Sequence, residues 1–353
     1  MTVCQKAGLV SRQYMNVSKR YDWVDWLKAF GIVLVMLGHL QLPDWFRSWI
    51  YSFHMPLFFM VSGFLLGNSG LEVSWGEFWR KRIKKLTTFY FTFAIFGAAV
   101  SIVLQALVGG WHVLPRAAFE RFLSVLYASG TVAGSLRVYP IVLWFFSALI
   151  MGFIISWALG KCATTRYRLI IAAALAWLSV TFLQVSMVWE IESGVVASFY
   201  VCVGLELRRN EQLRILICRS SLSVLLLCLM SGAVFACYAS GIDYRSSNIE
   251  SPLLATASCL LTLGSLVGLM SKFQPVSFVR LIANASILIF PVHCIVYQMV
   301  DIIFLGKKDF SGAELLAYEL VKGGVTFILL LCAWYIFESY IRVRVSRVGA
   351  LQS

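Results

Sequence analysis

The segment YDWVDWLKAFGIVLVMLGHL, residues 21–40, combines an apolar run of membrane-spanning length with a few ionisable side chains. A helix needs about 20 apolar residues to cross the hydrocarbon core of a bilayer. Comparable runs recur along the chain, and they are continuous rather than alternating in polarity. Because a bilayer crossing must satisfy its own backbone hydrogen bonds, this pattern predicts an all-α polytopic membrane protein.

The composition agrees with a membrane protein. Of 353 residues, 60% are hydrophobic and only 13% are charged, whereas a soluble domain is about a quarter charged. The nine cysteines lie mostly inside apolar runs, with no CxxC pair and no Cys/His cluster in the sequence. They predict neither a disulfide framework nor a metal site. The polar first twenty residues are expected to form a tail rather than a signal peptide.

We predict about ten transmembrane helices with both termini in the cytoplasm. This orientation places 21 Lys and Arg residues on the cytoplasmic side and eight outside, as the positive-inside rule requires. The same bias accounts for the net charge of +13 without a nucleic-acid partner. Polar tails at 1–20 and 342–353 would flank a membrane domain at 21–341. The predicted helices are 24–42, 50–67, 86–108, 138–159, 169–187, 191–207, 215–240, 252–270, 281–305 and 316–340.

The first helix carries ionisable side chains on one face. Lys28 and His39 are eleven positions apart, close to three full turns, so both point the same way. Asp25 is three positions before Lys28, on neighbouring surface. Ionisable residues inside a membrane are costly and therefore indicate function. The alternative is an interfacial Asp25–Lys28 ion pair, with His39 capping the outer end of the helix.

Two further motifs follow the first helix. IYSFHMPLFFMVSGFLLG, residues 50–67, places His54 and Pro56 where the second helix is predicted to begin, with Ser62 and Gly63 as sites of close helix approach. FWRKRIKKL, residues 78–86, holds five basic residues in six positions. These basic residues either anchor the chain to anionic lipid or bind a phosphorylated cosubstrate at the cytoplasmic face.

Together these three segments resemble the membrane-bound acyltransferase family 3, the polysaccharide and lipid O-acetyltransferases, and within it the fucose 4-O-acetylase-like branch. VLWFFSALI at 142–150 and NASILIFPVH at 284–293 extend the resemblance in the order the family shows. One departure is that Lys28 stands where a common family pattern has arginine. Lysine lacks the bidentate fork of arginine, so its partner is left open.

The resemblance implies transfer of an acetyl or other acyl group from cytoplasmic acyl-CoA to a hydroxyl of a cell-surface polysaccharide, a glycolipid or its lipid-linked precursor. It also implies a bacterial inner membrane location. Acyl transfer to an alcohol needs a base for the hydroxyl proton, and His39 is the one imidazole on the polar face. We expect His39 to be that base, with an acyl-His relay as the less favoured variant. No metal is expected.

The resemblance also suggests binding roles for other residues. Lys28 is expected to hold the CoA moiety, and Asp25, assigned with His39 to the catalytic residues, is expected to orient Lys28 or the donor. Arg82 and Lys85 correspond to a basic pair of the family and are assigned to the CoA phosphates. The expected partners are acyl-CoA, the glycan acceptor, membrane lipid and a second copy of the chain. The candidate residues for binding the acceptor are His54, Tyr139, Trp144 and His293. Further residues that could line an outer acceptor cleft are Phe145, Arg137, Glu190 and Glu192.

Each acceptor candidate has a structural alternative. His54 either contacts the sugar or pairs with His39, and His293 is equally compatible with a hydrogen-bonded core histidine. Trp144 either stacks on a sugar ring or belongs to an interfacial aromatic belt.

Two other classes of protein compete with an enzyme. In a transporter, Asp25, Lys28 and His39 would relay a proton or solute; in a non-catalytic scaffold they would have no chemical role. The basic segment at 80–85 favours an anionic cosubstrate. The sequence contains no pair of interrupted hydrophobic segments of the kind that marks many transporters.

Overall fold

A computed structural model describes residues 20–67, 70–130, 137–182, 186–239, 242–245, 249–304 and 311–350. The predicted tail at 1–20 thus lies, except for Arg20, outside the described residues. The helices are α1 (Asp22–Gly38), α2 (Asp44–Leu66), α3 (Trp75–Phe78), α4 (Lys84–Gly109), α5 (Leu114–Tyr127), α6 (Trp144–Cys162), α7 (Thr165–Phe182), α8 (Ile191–Arg209), α9 (Glu211–Arg219), α10 (Leu222–Tyr238), α11 (Pro252–Met270), α12 (Ser277–Phe304) and α13 (Gly312–Ala350).

The all-α polytopic prediction is confirmed, and each of the ten predicted segments carries a helix. Among the described residues, seven helical stretches are long and apolar enough to cross a membrane, or eight if α9 and α10 form one bent span. The remaining two are short: α1 has 17 residues, and the apolar part of α7 is Tyr167–Phe182. By helix length and composition, the described residues therefore contain seven or eight candidate crossings and not the predicted ten.

Several helix boundaries differ from the prediction. Helix α2 begins at Asp44 rather than at residue 50. Pro43 is its N-cap, and the Pro43 carbonyl accepts the hydrogen bonds of the first turn from the amides of Phe46 and Arg47. His54 consequently lies about three turns inside α2 and not at its mouth. Helices α9 and α10 meet at 98°, a break that the sequence did not predict. Helix α13 continues to Ala350, through the segment predicted as a tail.

The break predicted between the fifth and sixth helices is present. Val188–Glu190 forms a short 3-10 turn in which Trp189 and Glu190 adopt left-handed backbone angles, with φ of 60° and 53°. The buried Glu190 carboxylate accepts hydrogen bonds from Ser129 Oγ at 2.9 Å and from the Gly130 amide at 2.6 Å. These bonds tie the turn to a neighbouring segment, so Glu190 has a structural role here.

The helix directions define two ends of the molecule. Asp22 and Arg280 form an ion pair at 3.5 Å, so α1 and α12 start together and run parallel. The ring of Phe64, near the end of α2, lies 4.6 Å from that of Trp23, so α2 runs antiparallel to α1. We call the end where α1 begins the basic end, because residues 80–85 lie there, and the opposite end the histidine end.

Candidate active site

A cavity of about 350 Å³ opens at the histidine end. It is formed where α1 ends, α2 and α6 begin, and the segment 242–245 crosses beside α12. Its lining residues are Val35, His39, Arg47, Tyr51, His54, Met55, Ile141, Val142, Trp144, Ile242, Asp243, Tyr244, Arg245 and Phe290. Three of the sequence-predicted residues, His39, His54 and Trp144, therefore share one cavity.

His39 follows the last residue of α1 and is partly exposed. Its ring makes no hydrogen bond to the described residues, so its nitrogens are available to a substrate. Two tyrosines fix the backbone beside it: Tyr51 Oη donates to the Gly38 carbonyl at 2.8 Å, and Tyr297 Oη donates to the Met36 carbonyl at 3.2 Å. The end of α1 is thus held from α2 and α12 together.

His54 is buried and has a defined tautomer. Its Nδ1 lies 2.8 Å from the Ile50 carbonyl oxygen. Because a carbonyl only accepts hydrogen bonds, Nδ1 carries the proton and, in the neutral ring, Nε2 keeps its lone pair. The ring stacks on Tyr51 with centroids 5.2 Å apart. His54 therefore offers a second hydrogen-bond acceptor in the same cavity as His39.

His293 lies behind His39, with ring centroids 5.2 Å apart. It is fully buried, and its Nδ1 donates to the Phe290 carbonyl at 2.8 Å. Its Nε2 lies 3.3 Å from Cys294 Sγ. His293 is thus a hydrogen-bonded core histidine that contacts His39, rather than a lining residue of the cavity.

The structure corrects the expectation that the chain has no Cys/His cluster. The potential ligand atoms of His39, His293 and Cys294 lie within 4.8 Å of one another. Sequence spacing could not show this, because the cluster forms only when the parallel helices α1 and α12 pack together. Two imidazoles and a thiol are a donor set that suits zinc. The expectation that the protein uses no metal stays a prediction.

The aromatic candidates separate into different environments. Trp144 begins α6 and lines the cavity, whereas Phe145 stacks in the core on Phe59 with centroids 5.0 Å apart. Tyr139 is not among the residues lining the cavity of His39. It hydrogen-bonds to Gln298 and lies beneath the Arg121 guanidinium, in a second cavity of about 650 Å³.

The segment 242–245 contributes residues to the cavity that the sequence motifs did not predict. Tyr244 Oη donates to the Ser52 carbonyl at 3.2 Å, and burial raises the pKa of Tyr244 well above its ordinary value. Ser193 Oγ donates to the Arg245 carbonyl at 2.7 Å. Asp243 and Arg47 were missed as well. Arg47 and Arg245 are two of the eight basic residues on the outer side, and that charge distribution by itself predicts only the orientation of the chain.

At the basic end, the Asp25–Lys28 ion pair that stood as the alternative to a functional role is not formed. Asp25 is buried and accepts a 2.6 Å ion pair from Arg20 Nε, because Arg20 reaches the carboxylate from the chain entering α1. Lys28 is half-buried, and among the described residues its ammonium has no hydrogen-bond partner. It lies within electrostatic range of Asp25 and Lys85. A lysine so placed is free to meet an anion.

The two basic residues assigned to CoA phosphates differ in their surroundings. Arg82 lies in a π-helical turn, Trp79–Ile83, and its Nη2 donates to the Leu66 carbonyl at the end of α2, at 3.3 Å. Part of its donor capacity is therefore used within the protein. Lys85 is exposed. Single π-turns inside helices are frequent at functional sites.

A bundle of apolar helices has a histidine-lined cavity at one end and, at the other, two lysines, Lys28 and Lys85, that have no acidic partner within hydrogen-bond reach among the described residues. This arrangement defines a polytopic membrane protein with an internal site. The family model described as an acyltransferase domain, acyltransferase family 3, matches residues 21–341. The chain therefore belongs to this family and is a membrane acyltransferase. No curated protein and no solved structure matches it.

Proposed function

We propose that the protein is an O-acetyltransferase that moves an acetyl group from cytoplasmic acetyl-CoA to a hydroxyl of a cell-surface polysaccharide, glycolipid or lipid-linked precursor. The observation that supports this most is the position of His39. Its imidazole, which makes no hydrogen bond within the described part of the chain, lines the 350 Å³ cavity at the histidine end, three helical turns from Lys28 at the basic end. The bacterial inner membrane and the fucose 4-O-acetylase-like branch belong to the same proposal.

His39 acts as the general base. It takes the proton of the acceptor hydroxyl while that oxygen attacks the thioester carbonyl, and a new C–O bond forms. The C–S bond then breaks, and the proton passes from the imidazolium to the departing CoA thiolate. A base of this kind contributes roughly 10²–10⁴-fold to the rate. Trp144 supplies an aromatic face on which the acceptor sugar stacks. His54 Nε2 accepts a hydrogen bond from a hydroxyl of that sugar.

The donor approaches from the basic end. Among the described residues, Lys28 and Lys85 have no acidic partner within hydrogen-bond reach, and the two cations lie close enough to interact electrostatically. This arrangement suits a phosphate-bearing donor. The rise from Lys28 to His39 is about 16 Å. The pantetheine arm of CoA is a long chain, and in this proposal it extends along α1 to bring the thioester towards His39.

The decisive experiment follows radiolabel from acetyl-CoA into surface glycan, using membranes that contain wild type or His39→Ala protein. We expect label in the glycan with wild type and a loss of at least 100-fold with His39→Ala. His112→Ala is the matched control, because His112 is exposed in the 3-10 turn Trp111–Val113, away from the cavity lining. It should label like wild type.

The alternative outcomes separate the competing explanations. Equal labelling by a folded His39→Ala protein would remove His39 from the chemistry and move the role to His54, whose Nε2 is the other basic nitrogen in the cavity. No transfer by wild type, with several acyl-CoA donors and acceptors supplied, would contradict the proposed acetyl transfer and favour a transport role.

A further inference from the structure

The cavity that holds His39 also contains two arginines that the proposed acetyl transfer does not use. Arg47 lies in the first turn of α2, and Arg245 lies in the segment 242–245. The Nε atom of each guanidinium is shielded from solvent and has no hydrogen-bond partner among the described residues. A buried donor without an acceptor is costly, so both arginines favour a ligand that brings acceptor oxygens.

The acidic side chains nearby leave part of this positive charge unbalanced. Asp243 accepts a hydrogen bond from Arg245 Nη2 at 3.1 Å. Asp44 lies 3.8 Å from Arg47, but its side chain is 98% exposed and does not line the cavity. Of the described residues, two guanidinium groups and one carboxylate line the cavity, and they give it a net positive charge when its histidines are neutral.

Both arginines are positioned before any ligand arrives. The backbone of Arg245 is held by the hydrogen bond from Ser193 Oγ at 2.7 Å, next to the buried Tyr244. The Arg47 guanidinium lies 5.7 Å from the ring centroid of Tyr51, the residue that also holds the end of α1 beside His39. Preorganised groups of this kind lower the cost of binding.

We propose that the acceptor carries a carboxylate or a phosphate close to the hydroxyl that receives the acetyl group. This inference rests on the proposed function and names its acceptor class: an acidic sugar, or a sugar that bears a phosphate. Guanidinium groups bind both anions through paired hydrogen bonds. The volume of about 350 Å³ lies within the range of small-molecule sites, so the anion and the reacting hydroxyl would share the cavity with His39.

The test measures binding, using the full-length protein in lipid nanodiscs at constant ionic strength. The probes are methyl glucuronoside, glucose 6-phosphate and the neutral methyl glucoside, each titrated while the thermal midpoint is followed. We expect one or both anionic probes to raise the midpoint of wild type and the neutral probe to leave it unchanged. Which anion is stronger decides between a carboxylate and a phosphate.

Substitutions then assign the effect to the arginines. Arg47→Gln and Arg245→Gln should each weaken binding of the preferred anion by about 10- to 100-fold, as expected for loss of a charged hydrogen bond. Arg116→Gln is the matched control, because Arg116 is 86% exposed and paired with Glu120 at 2.8 Å. If Arg245→Gln does not fold, Arg245→Lys replaces it. Lysine keeps the positive charge but lacks the paired N–H donors of arginine, so anion binding should weaken by less than in Arg245→Gln.

Several results would overturn the inference: no preference of wild type for either anionic probe, equal stabilisation by inorganic sulfate, or unchanged anion binding in both Arg→Gln variants. His39→Ala should bind the anion as wild type does, because the arginines remain. Anion binding without acetyl transfer would therefore contradict only the proposed function, and transfer without anion preference would contradict only this inference.

Discussion

At the scale of single residues, Lys28 tests how the donor is held. Lys28→Ala should raise the apparent KM for acetyl-CoA about tenfold or more, as loss of a charged contact predicts, with a smaller effect on kcat, because the contact would be present in both the bound and the transition state. Initial rates against acetyl-CoA concentration measure both constants. An unchanged donor KM would remove Lys28 from the donor site.

Two further variants sharpen this test. Lys81→Ala is the control, because Lys81 belongs to the same basic segment but is exposed and paired with Glu77 at 2.6 Å. Its donor KM should match that of wild type. Lys28→Arg introduces the residue of the common family pattern. The guanidinium group can donate two parallel hydrogen bonds to one phosphate, so the KM of this variant for acetyl-CoA should be equal to or lower than that of wild type.

At the scale of helices, α2 and α8 cross at two glycines. A Cβ at Gly63 would overlap the Val201 carbonyl, and one at Gly204 would overlap the Met60 carbonyl. The crossing therefore depends on the absence of side chains at both positions. Because the first half of α2 carries Arg47, Tyr51 and His54 into the cavity, this contact also fixes the position of the site.

Gly63→Ala should lower the stability of the protein by about 1–3 kcal/mol, since backbone atoms cannot move aside without shifting a helix. Thermal midpoints in detergent, followed by size-exclusion chromatography of the heated protein, measure the change. Gly264→Ala in α11 is the control, because its Cβ meets nothing within 4 Å, and it should be neutral or stabilising. A midpoint of Gly63→Ala equal to that of wild type would contradict the close crossing.

The sequence predicted individual helices better than the contacts between them. Apolar runs and the polar break at Glu190 mark helix positions directly, because burial in lipid depends on local composition. The bend between Arg219 and Leu222 has a local signal, because Ser220 and Ser221 interrupt the apolar run and Ser221 caps α10. The predicted helix at 215–240 runs through this signal, and the angle of 98° depends on packing that no local pattern describes. Arg20 as the partner of Asp25 depends on the path of the chain entering α1, which no periodicity describes.

The same limit applies to the site. The face shared by Lys28 and His39 follows from helical geometry, and the resemblance brought His54 and Trp144 into consideration. Arg245 and Cys294 approach His39 only through packing between distant segments. They could be found only after α1, α12 and the segment 242–245 had been placed together.

At the scale of the whole molecule, the proposed reaction requires its two ends to face opposite sides of the membrane. The basic end should face the cytoplasm, where positive charge is favoured, and the histidine end should face outward. Gln212 is exposed and lies in the first turn of α9. Arg209, just before α9, pairs at 3.0 Å with Glu72, which shortly precedes the basic residues 80–85 in the chain, so Gln212 lies near the basic end. Exposed Ala118 lies in α5, on the connection that returns to the cavity at Trp144.

Cysteine labelling of intact cells tests this orientation. In a protein whose nine native cysteines are replaced, Ala118→Cys should react with a membrane-impermeant maleimide added outside, and Gln212→Cys should react only after permeabilisation. Both residues are exposed, and each has an exposed charged residue within two positions, Arg116 for Ala118 and Glu211 for Gln212. The difference in labelling therefore reports the side of the membrane and not burial in the protein. The reverse pattern would place the histidine cavity beside the cytoplasm, and the donor and acceptor would then have to enter from the same side.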